Sequence, residues 1–354
     1  MTRCLRRAPC GTAKSRGMSV SDSNRQFLLA ARPQGMIKES DFRYNEAPIP
    51  EPADGEVLVR VEYISLDPSM RGQMENRADY AAPLHIGDVM RASGIAQVVE
   101  SEHPDFAIGD LVQGSFGMQD YKRLDPQALG VRKFAPGEDP LAAISVYGGT
   151  GMTAYFGLLE LGQPRQGQTV VVSGAAGATG IIAVQIAKLK GCTVIGLAGS
   201  DLKCAFLQEL GLDGTINYKT ENVGEKLTEL CPSGIDVYFD NVGGEILDLC
   251  LARLAMNARV VICGGISRYN LEGPIPGPKN YFNLVYRRAR MEGFIVVDYV
   301  DRFEEATDQL RQWVADGSIQ YQTYVVDGFE NLPGALIGMF KGENLGKTLV
   351  ACDP

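Results

Sequence analysis

The sequence predicts an α/β protein in which a doubly wound parallel sheet is preceded by a β-rich domain. Three observations carry this. Residues 170–180 run three β-branched side chains into glycines at Gly174, Gly177 and Gly180, followed by a long apolar stretch from Ile181. That order reads as strand, turn, helix. From Ala142 onward strand patterns alternate with helix patterns, which implies parallel pairing through right-handed crossovers. Before about residue 135, short alternating strands are instead separated by Gly, Pro and Asp turns.

At 354 residues with 45% hydrophobic content, the chain can fill two cores. A net charge of −9 offers no basic footprint for nucleic acid, and no apolar run has the length a bilayer needs. Eight cysteines, at 4, 10, 192, 204, 231, 250, 263 and 352, are scattered without a Cys-x-x-Cys pair. This pattern fits a reducing cytoplasmic setting better than a disulfide framework. His85 and His103 are the only histidines, and neither is near a cysteine in sequence, so no metal site is expected. Residues 1–17 carry five basic residues and no acid. They read as a disordered leader, a mis-assigned start upstream of Met18, or a short targeting segment.

Taken in order, 47–52 is a stiff proline-rich lead-in, and 56–63 alternates as a strand with Val57, Val59, Val61 and Tyr63 on one face. Further strands are expected at 94–99 and 110–114. In the second part, strands are expected at 169–173, 193–198, 236–240, 259–263 and 293–297. Helices are expected at 201–210, with Asp201 suited to cap it, after Gly243-Gly244, at 303–315 and at 332–340. The segment 346–350 reads as a last strand returning to the first domain. The division is therefore 18–141 with 325–354 for the β-rich domain and 142–324 for the ligand-binding domain.

Glycines at 174, 177 and 180 let a backbone approach a pyrophosphate, and the helix start attracts the anion through unpaired amides. The same spacing also serves as a tight turn that binds nothing. Residues beyond the turn favour binding. The next strand ends Ala198-Gly199-Ser200-Asp201-Leu202-Lys203, with a small Ser200 where a carboxylate would select a free ribose diol, and Lys203 one turn on. This favours the 2′-phosphate of NADPH. Two later strand ends, Phe239-Asp240-Asn241-Val242-Gly243-Gly244 and Cys263-Gly264-Gly265-Ile266-Ser267-Arg268-Tyr269, place small polar groups where open sheets bind ligands.

With Ile64-Ser65-Leu66-Asp67-Pro68-Ser69-Met70-Arg71, Gly151-Met152-Thr153-Ala154-Tyr155-Phe156-Gly157-Leu158, Met291-Glu292-Gly293-Phe294-Ile295-Val296 and Gly342-Glu343-Asn344-Leu345-Gly346-Lys347-Thr348, these stretches carry a resemblance. From Met18 on, the chain resembles the zinc-independent medium-chain dehydrogenase/reductases, in the prostaglandin reductase and leukotriene hydroxydehydrogenase group, with curcumin and alkenal double-bond reductases among its members. The resemblance implies a Rossmann domain and a GroES-like β-rich domain. It implies NADPH held by Gly177, Ala178, Thr179, Gly180, Lys203, Tyr218, Asn241, Cys263, Gly264, Gly265, Ile266, Ser267, Arg268, Tyr269, Phe294, Ile295, Val296 and Asn344, and it implies a homodimer. Tyr63 and Tyr80 match tyrosines that line the cleft in relatives, while Ser69 departs from the tyrosine many relatives carry after Asp-Pro.

The chemistry left to such a chain is narrow. The zinc ligands of alcohol dehydrogenases are missing from the sequence, and no tyrosine is followed by lysine four residues on. The β-carbon of an alkene conjugated to a carbonyl takes hydride with little acid help, and a hydroxyl can stabilise the resulting enolate. Tyr269 is the expected donor, with Tyr80 and Tyr63 as further cleft candidates. Each has a plain alternative: Tyr63 as core, Tyr80 as a loop residue, Tyr269 as packing on the ribose. The expected activity is NADPH-dependent reduction of enones or alkenals; a quinone reductase and an NADPH-binding protein with little turnover are the rivals.

Overall fold

The computed structural model describes residues 23–76 and 82–352, so the expectations for the leader at 1–17 and for Tyr80 lie outside the described residues. The first part contains β1 (Asn24–Leu29), β2 (Phe42–Ala47), β3 (Val57–Ser65), α1 (Ser69–Gln73), β4 (Ser93–Ser101), β5 (Leu111–Ser115), β6 (Tyr121–Leu124) and β7 (Arg132–Lys133). Strands β1 and β2 pair with each other. They escape sequence reading because half of their residues are polar and no clean alternation runs through them.

In β3, Val57, Val59 and Val61 point into one core, as expected. Tyr63 does not join them. The pairing with β4 shifts between Val61, opposite Ala96, and Tyr63, opposite Ile95. The extra residue reverses the phase of the strand, so Ile64 returns to the main core while Tyr63 packs with Ile95, Phe134, Ala143, Ile144 and Leu349.

After α2 (Pro140–Ile144) and α3 (Gly149–Phe156), which runs on into a π-helical turn Gly157–Gly162, the second sheet begins. Its elements are β8 (Thr169–Ser173), α4 (Ala178–Leu189), β9 (Thr193–Ala198), α5 (Asp201–Glu209), β10 (Gly214–Asn217), α6 (Val223–Leu230), β11 (Ile235–Asp240), α7 (Gly244–Leu251), β12 (Leu254–Ile262), α8 (Asn283–Arg287), β13 (Arg290–Gly293) and α9 (Phe303–Ala315). The strands are parallel in the order β10-β9-β8-β11-β12-β13. Helices cover both faces. Val170 and Val172 enter the core that includes α4 residues and Leu310 of α9, and Val171 enters the core formed with α6 and α7. Each such valine contributes about 1.5–3 kcal/mol on burial. The strand order reverses between β8 and β11, and a crevice opens at their carboxyl ends.

Strand β10 and helix α6 are not legible from the sequence alone: β10 is four residues long and begins on glycine. The expected strand at 293–297 lies earlier, at Arg290–Gly293, and a 3-10 segment Val296–Arg302 comes after it. The apolar Phe294-Ile295-Val296-Val297 imitates a strand, while the true one is an edge strand bearing charges.

Finally β14 (Thr323–Asp327), α10 (Leu332–Lys341) and β15 (Lys347–Ala351) return to the first sheet, just ahead of the expected boundary. Strand β15 pairs parallel with β14 and antiparallel with β3, giving the order β14-β15-β3-β4-β5-β7 with β6 beside β3.

Candidate active site

The turn after β8 shows what its glycines are for. Gly174 has φ +58, in the left-handed region, and a Cβ on Gly180 would meet Gly174 O at 2.3 Å and Ala175 Cα at 2.7 Å. Gly177 is the N-cap of α4 and no side chain caps this end, so the first-turn amides lack intrahelical acceptors. Together with Ala178, Thr179 and Gly180, it walls a cleft of about 310 Å³. This is the cradle an anionic phosphate group fits.

The end of β11 supplies the opposite wall. Asp240 is fully buried, and one of its oxygens accepts from Ser173 Oγ (2.9 Å), Tyr238 Oη (2.7 Å), Val242 N–H (3.0 Å) and Gly243 N–H (2.9 Å). These bonds fix the turn that carries Asn241. The Asn241 side chain donates Nδ2–H to Ser173 O at 2.7 Å and lines the cleft. From the end of β12, Cys263, Gly264, Ile266 and Tyr269 reach the same cleft, and the Tyr269 hydroxyl accepts from Gly265 N–H at 3.3 Å. Burial, and after it Asp240, push the Cys263 thiol up to about 12, so it is not a thiolate nucleophile near neutral pH.

Lys203 and Tyr218 also line the cleft. Lys203 Nζ donates to Gly342 O at 2.8 Å, and burial followed by the charge of Lys219 lowers its pKa. Lys219 thus adds a second cation beside Lys203, one that no sequence pattern marks. A Cβ on Gly199 would strike Tyr218 Oη at 2.5 Å and approach Lys219 Cε at 3.3 Å, which shows how tightly these groups surround the end of β9. Ser200 has a different task from the one expected. It does not line the cleft; its Oγ accepts from Lys203 N–H at 3.3 Å as the N-cap of α5. Asp201, expected to cap, sits in the first turn and accepts from Asn217 Nδ2–H at 2.7 Å.

Of the other anticipated residues, Ser267 walls an adjoining cavity that shares Tyr218, Val242 and Ile266 with the cleft. Ser267 Oγ donates to Val242 O at 2.6 Å. Gly265 and Arg268 support this loop, with Arg268 Cδ 3.4 Å from where a Gly243 Cβ would stand. Phe294, Ile295 and Val296 do not line the cleft. Phe294 lies against Gly157, where a Cβ would meet its ring at 2.5 Å, Ile295 is exposed, and Val296 packs on the core. Tyr63 also lies away from the cleft, in its cluster with Ile95 and Leu349, where burial, then Glu62 and Asp327, raise its pKa.

The first domain contributes Leu66, Asp67, Pro68 and Ser69, and the return segment contributes Asn344, Gly346, Lys347 and Thr348. Asn344 Nδ2–H donates to Gly346 O at 3.0 Å. Gly346 N–H donates to Ala176 O at 2.9 Å, docking this segment on the glycine turn. Lys347, almost wholly buried, pairs with Asp67, which also accepts from Ser65 Oγ at 2.9 Å. Both motifs are visible in the sequence, but the meeting of Lys347 with Asp67 is not, because no local pattern joins residues so far apart in the chain. Among the described residues, no three His, Cys, Asp or Glu side chains converge as a metal ion requires.

Residues 25–131 match the family described as the N-terminal domain of oxidoreductase, and residues 178–312 match the one described as zinc-binding dehydrogenase. The chain is 40% identical to the NADPH-dependent curcumin reductase of Escherichia coli over 92% of its own length and 96% of that protein. It is 41% identical to prostaglandin reductase 1 of Rattus norvegicus over 90% of its length and 95% of that protein. The chain belongs to the zinc-independent medium-chain dehydrogenase/reductase family. A solved structure of this reductase fold, CurA from Vibrio vulnificus in complex with NADPH, superposes with a TM-score of 0.89 at 41% identity, covering 93% of this chain and 99% of that one. As the family fold requires, a β-rich domain and a parallel-sheet domain meet at the cleft. No helix among the described residues is long and apolar enough to cross a membrane.

Proposed function

We propose that the protein is an NADPH-dependent reductase of the carbon–carbon double bond in α,β-unsaturated ketones and aldehydes. One observation carries the reading: a single cleft holds Lys203 and Tyr269, a cation suited to a 2′-phosphate and a hydroxyl suited to a developing oxyanion. NADPH, when bound, supplies the hydride. The amides at Ala178, Thr179 and Gly180 hold its pyrophosphate, and Lys203 with Lys219 meets the 2′-phosphate. Asn241 and Asn344 hydrogen-bond uncharged parts of the cofactor, since amides do not titrate. Tyr269 accepts the Gly265 N–H and directs its own proton to the substrate's carbonyl oxygen as charge develops there. Ser69, small at the mouth of the cleft, leaves room for bulky acceptors. Tyr63 has a packing role, and Tyr80 remains a candidate for the substrate side.

The chain acts as a homodimer. The edge of β13 is exposed, and Tyr281, Phe282, Val285, Tyr286, Val297 and Val300 expose an apolar surface in the segments beside it. A cytoplasmic location suits Cys192, Cys204, Cys231, Cys250 and Cys263, none of which forms a disulfide.

The test is to monitor NADPH or NADH oxidation with a linear enone, an alkenal and a quinone. Oxidation by the enone or alkenal with preference for NADPH is expected. Turnover of quinones alone favours the quinone reductase, and tight NADPH binding without turnover favours a binding protein. Tyr269→Phe is expected to lower enone turnover by about 100-fold with NADPH affinity kept. Sedimentation that gives a monomer would remove the dimer.

A further inference from the structure

A second cavity, of about 430 Å³, opens at the amino ends of the parallel strands, the opposite end of the sheet from the cleft. Four arginines line it from three separate segments: Arg165 ahead of β8, Arg259 in β12, and Arg288 and Arg290 at the start of β13, where Arg290 Nη2 donates to Leu161 O at 2.9 Å. Arg259 is only 8% exposed. Its Nη1 and Nη2 donate to Gln163 O at 2.8 Å and Gln168 Oε1 at 2.6 Å, both neutral acceptors, and its buried Nε–H has no partner.

Among the described residues, no carboxylate lies within ion-pair distance of Arg165, Arg259 or Arg288, and Glu292 stands 3.9 Å from Arg290. Asp236 offsets part of the charge at Arg259, but its carboxylate already accepts from Thr169 N–H at 2.9 Å. Burial first, then the charge of Arg165, pull Arg259 below the ordinary arginine value. Four like charges around one hollow repel, and a buried guanidinium whose charge Asp236 offsets only in part is costly. The backbone is also unusual at this cavity. Gln163, Asn257 and Arg288, with φ of 44°, 60° and 49°, are the only non-glycine residues with positive φ among the described residues, and all three wall it.

We propose that the cavity binds a small, multiply charged phosphate compound, at a site separate from the dinucleotide. Guanidinium forks match phosphate oxygens in pairs, and several of them together favour a ligand with more than one negative charge. The volume is that of a small-molecule site rather than a lodging for one water.

Pyrophosphate is the probe, titrated calorimetrically into the full chain with and without saturating NADPH, at matched ionic strength. NADPH fills the phosphate cradle of the cleft, so heat that persists in its presence reports the arginine cavity. One saturable site with a dissociation constant below about 1 mM is expected, weakened at least about tenfold in Arg165→Gln/Arg288→Asn. Arg165 is exposed and lies outside both the cleft and the β13 edge, so enone turnover of Arg165→Gln without pyrophosphate should be unchanged. Arg165→Gln alone should weaken binding in the same direction. No saturable binding, binding lost whenever NADPH is present, or affinity unchanged in both variants would overturn the proposal.

Discussion

Arg71 Nε donates to Asn270 Oδ1 at 3.1 Å, joining α1 of the first domain to the residue next to Tyr269. Arg71 is itself anchored, donating to Pro33 O at 3.2 Å and Glu75 Oε1 at 3.0 Å, and only 3% of it is exposed. The position of Tyr269 is thus referred to the domain that presents Ser69 to the cleft. Asn270→Ala is expected to lower kcat about tenfold by letting the tyrosine loop drift, with NADPH affinity little changed. Steady-state kinetics beside a direct binding titration separate the two effects.

Lys203→Met removes the half-buried cation of the cleft. It should raise KM for NADPH by about 10- to 100-fold, the worth of a hydrogen bond to a charged group. KM for NADH should hardly move. An equal rise for both cofactors would mean that the lysine serves the fold through Gly342 rather than the phosphate.

Gly180→Ala places a methyl carbon 2.3 Å from Gly174 O. Backbone atoms cannot yield as a flexible side chain would, so the turn must shift. A loss of about 1–3 kcal/mol, read as a lower Tm, is expected together with weakened NADPH binding.

Glu138 tests acid sensitivity at the contact between the domains. It accepts from Arg132 Nη1 at 2.9 Å on the first sheet and from Arg311 Nη2 at 3.1 Å on α9. Burial raises its carboxyl, but the bonds from Arg132, Ala135 N–H and Arg311 outweigh this and leave it below the ordinary value of 4.5. A depressed carboxyl gives stability that is full above that value and is lost as pH falls through the folded pKa. Glu138→Gln should therefore have a lower Tm than the parent at pH 7, and the gap should narrow as pH falls below 4.5 and through the folded pKa.

Cys263 lines the cleft with its thiol pushed up to about 12. Cys263→Ser should retain turnover within about twofold, and iodoacetamide at pH 8 should leave this residue unmodified. Mass spectrometry after alkylation reads the second outcome directly.

The sequence carries the doubly wound domain plainly, because the run Val170-Val171-Val172 and the three glycines obey local rules of period and backbone freedom. It carries Lys203 and Asn241 for the same reason: each sits at a strand end that a nearby pattern marks. What it hides depends on contacts between distant segments. The bulge that turns Tyr63 out of the valine face is set by pairing with β4, and the capping role of Ser200 is masked by Asp201, a neighbour whose side chain suits the same task. Lys347 meeting Asp67, and Lys219 beside Lys203, arise only once the strands are assembled. The displaced strand at 293–297 shows the converse, an apolar run whose surroundings leave it in an irregular turn.

The antiparallel hold of β15 on β3 also sets an order on biosynthesis. Every strand of the parallel sheet, through Gly293, emerges before Lys347, so the nucleotide-binding half can collapse while the ribosome is still adding the closing strand. The first half, though made earliest, must wait for residues 347–351 to complete its sheet and to lay Gly346 against the phosphate turn. Nascent chains arrested ahead of Lys347 should therefore resist protease across 169–293 while 57–133 stays open to it.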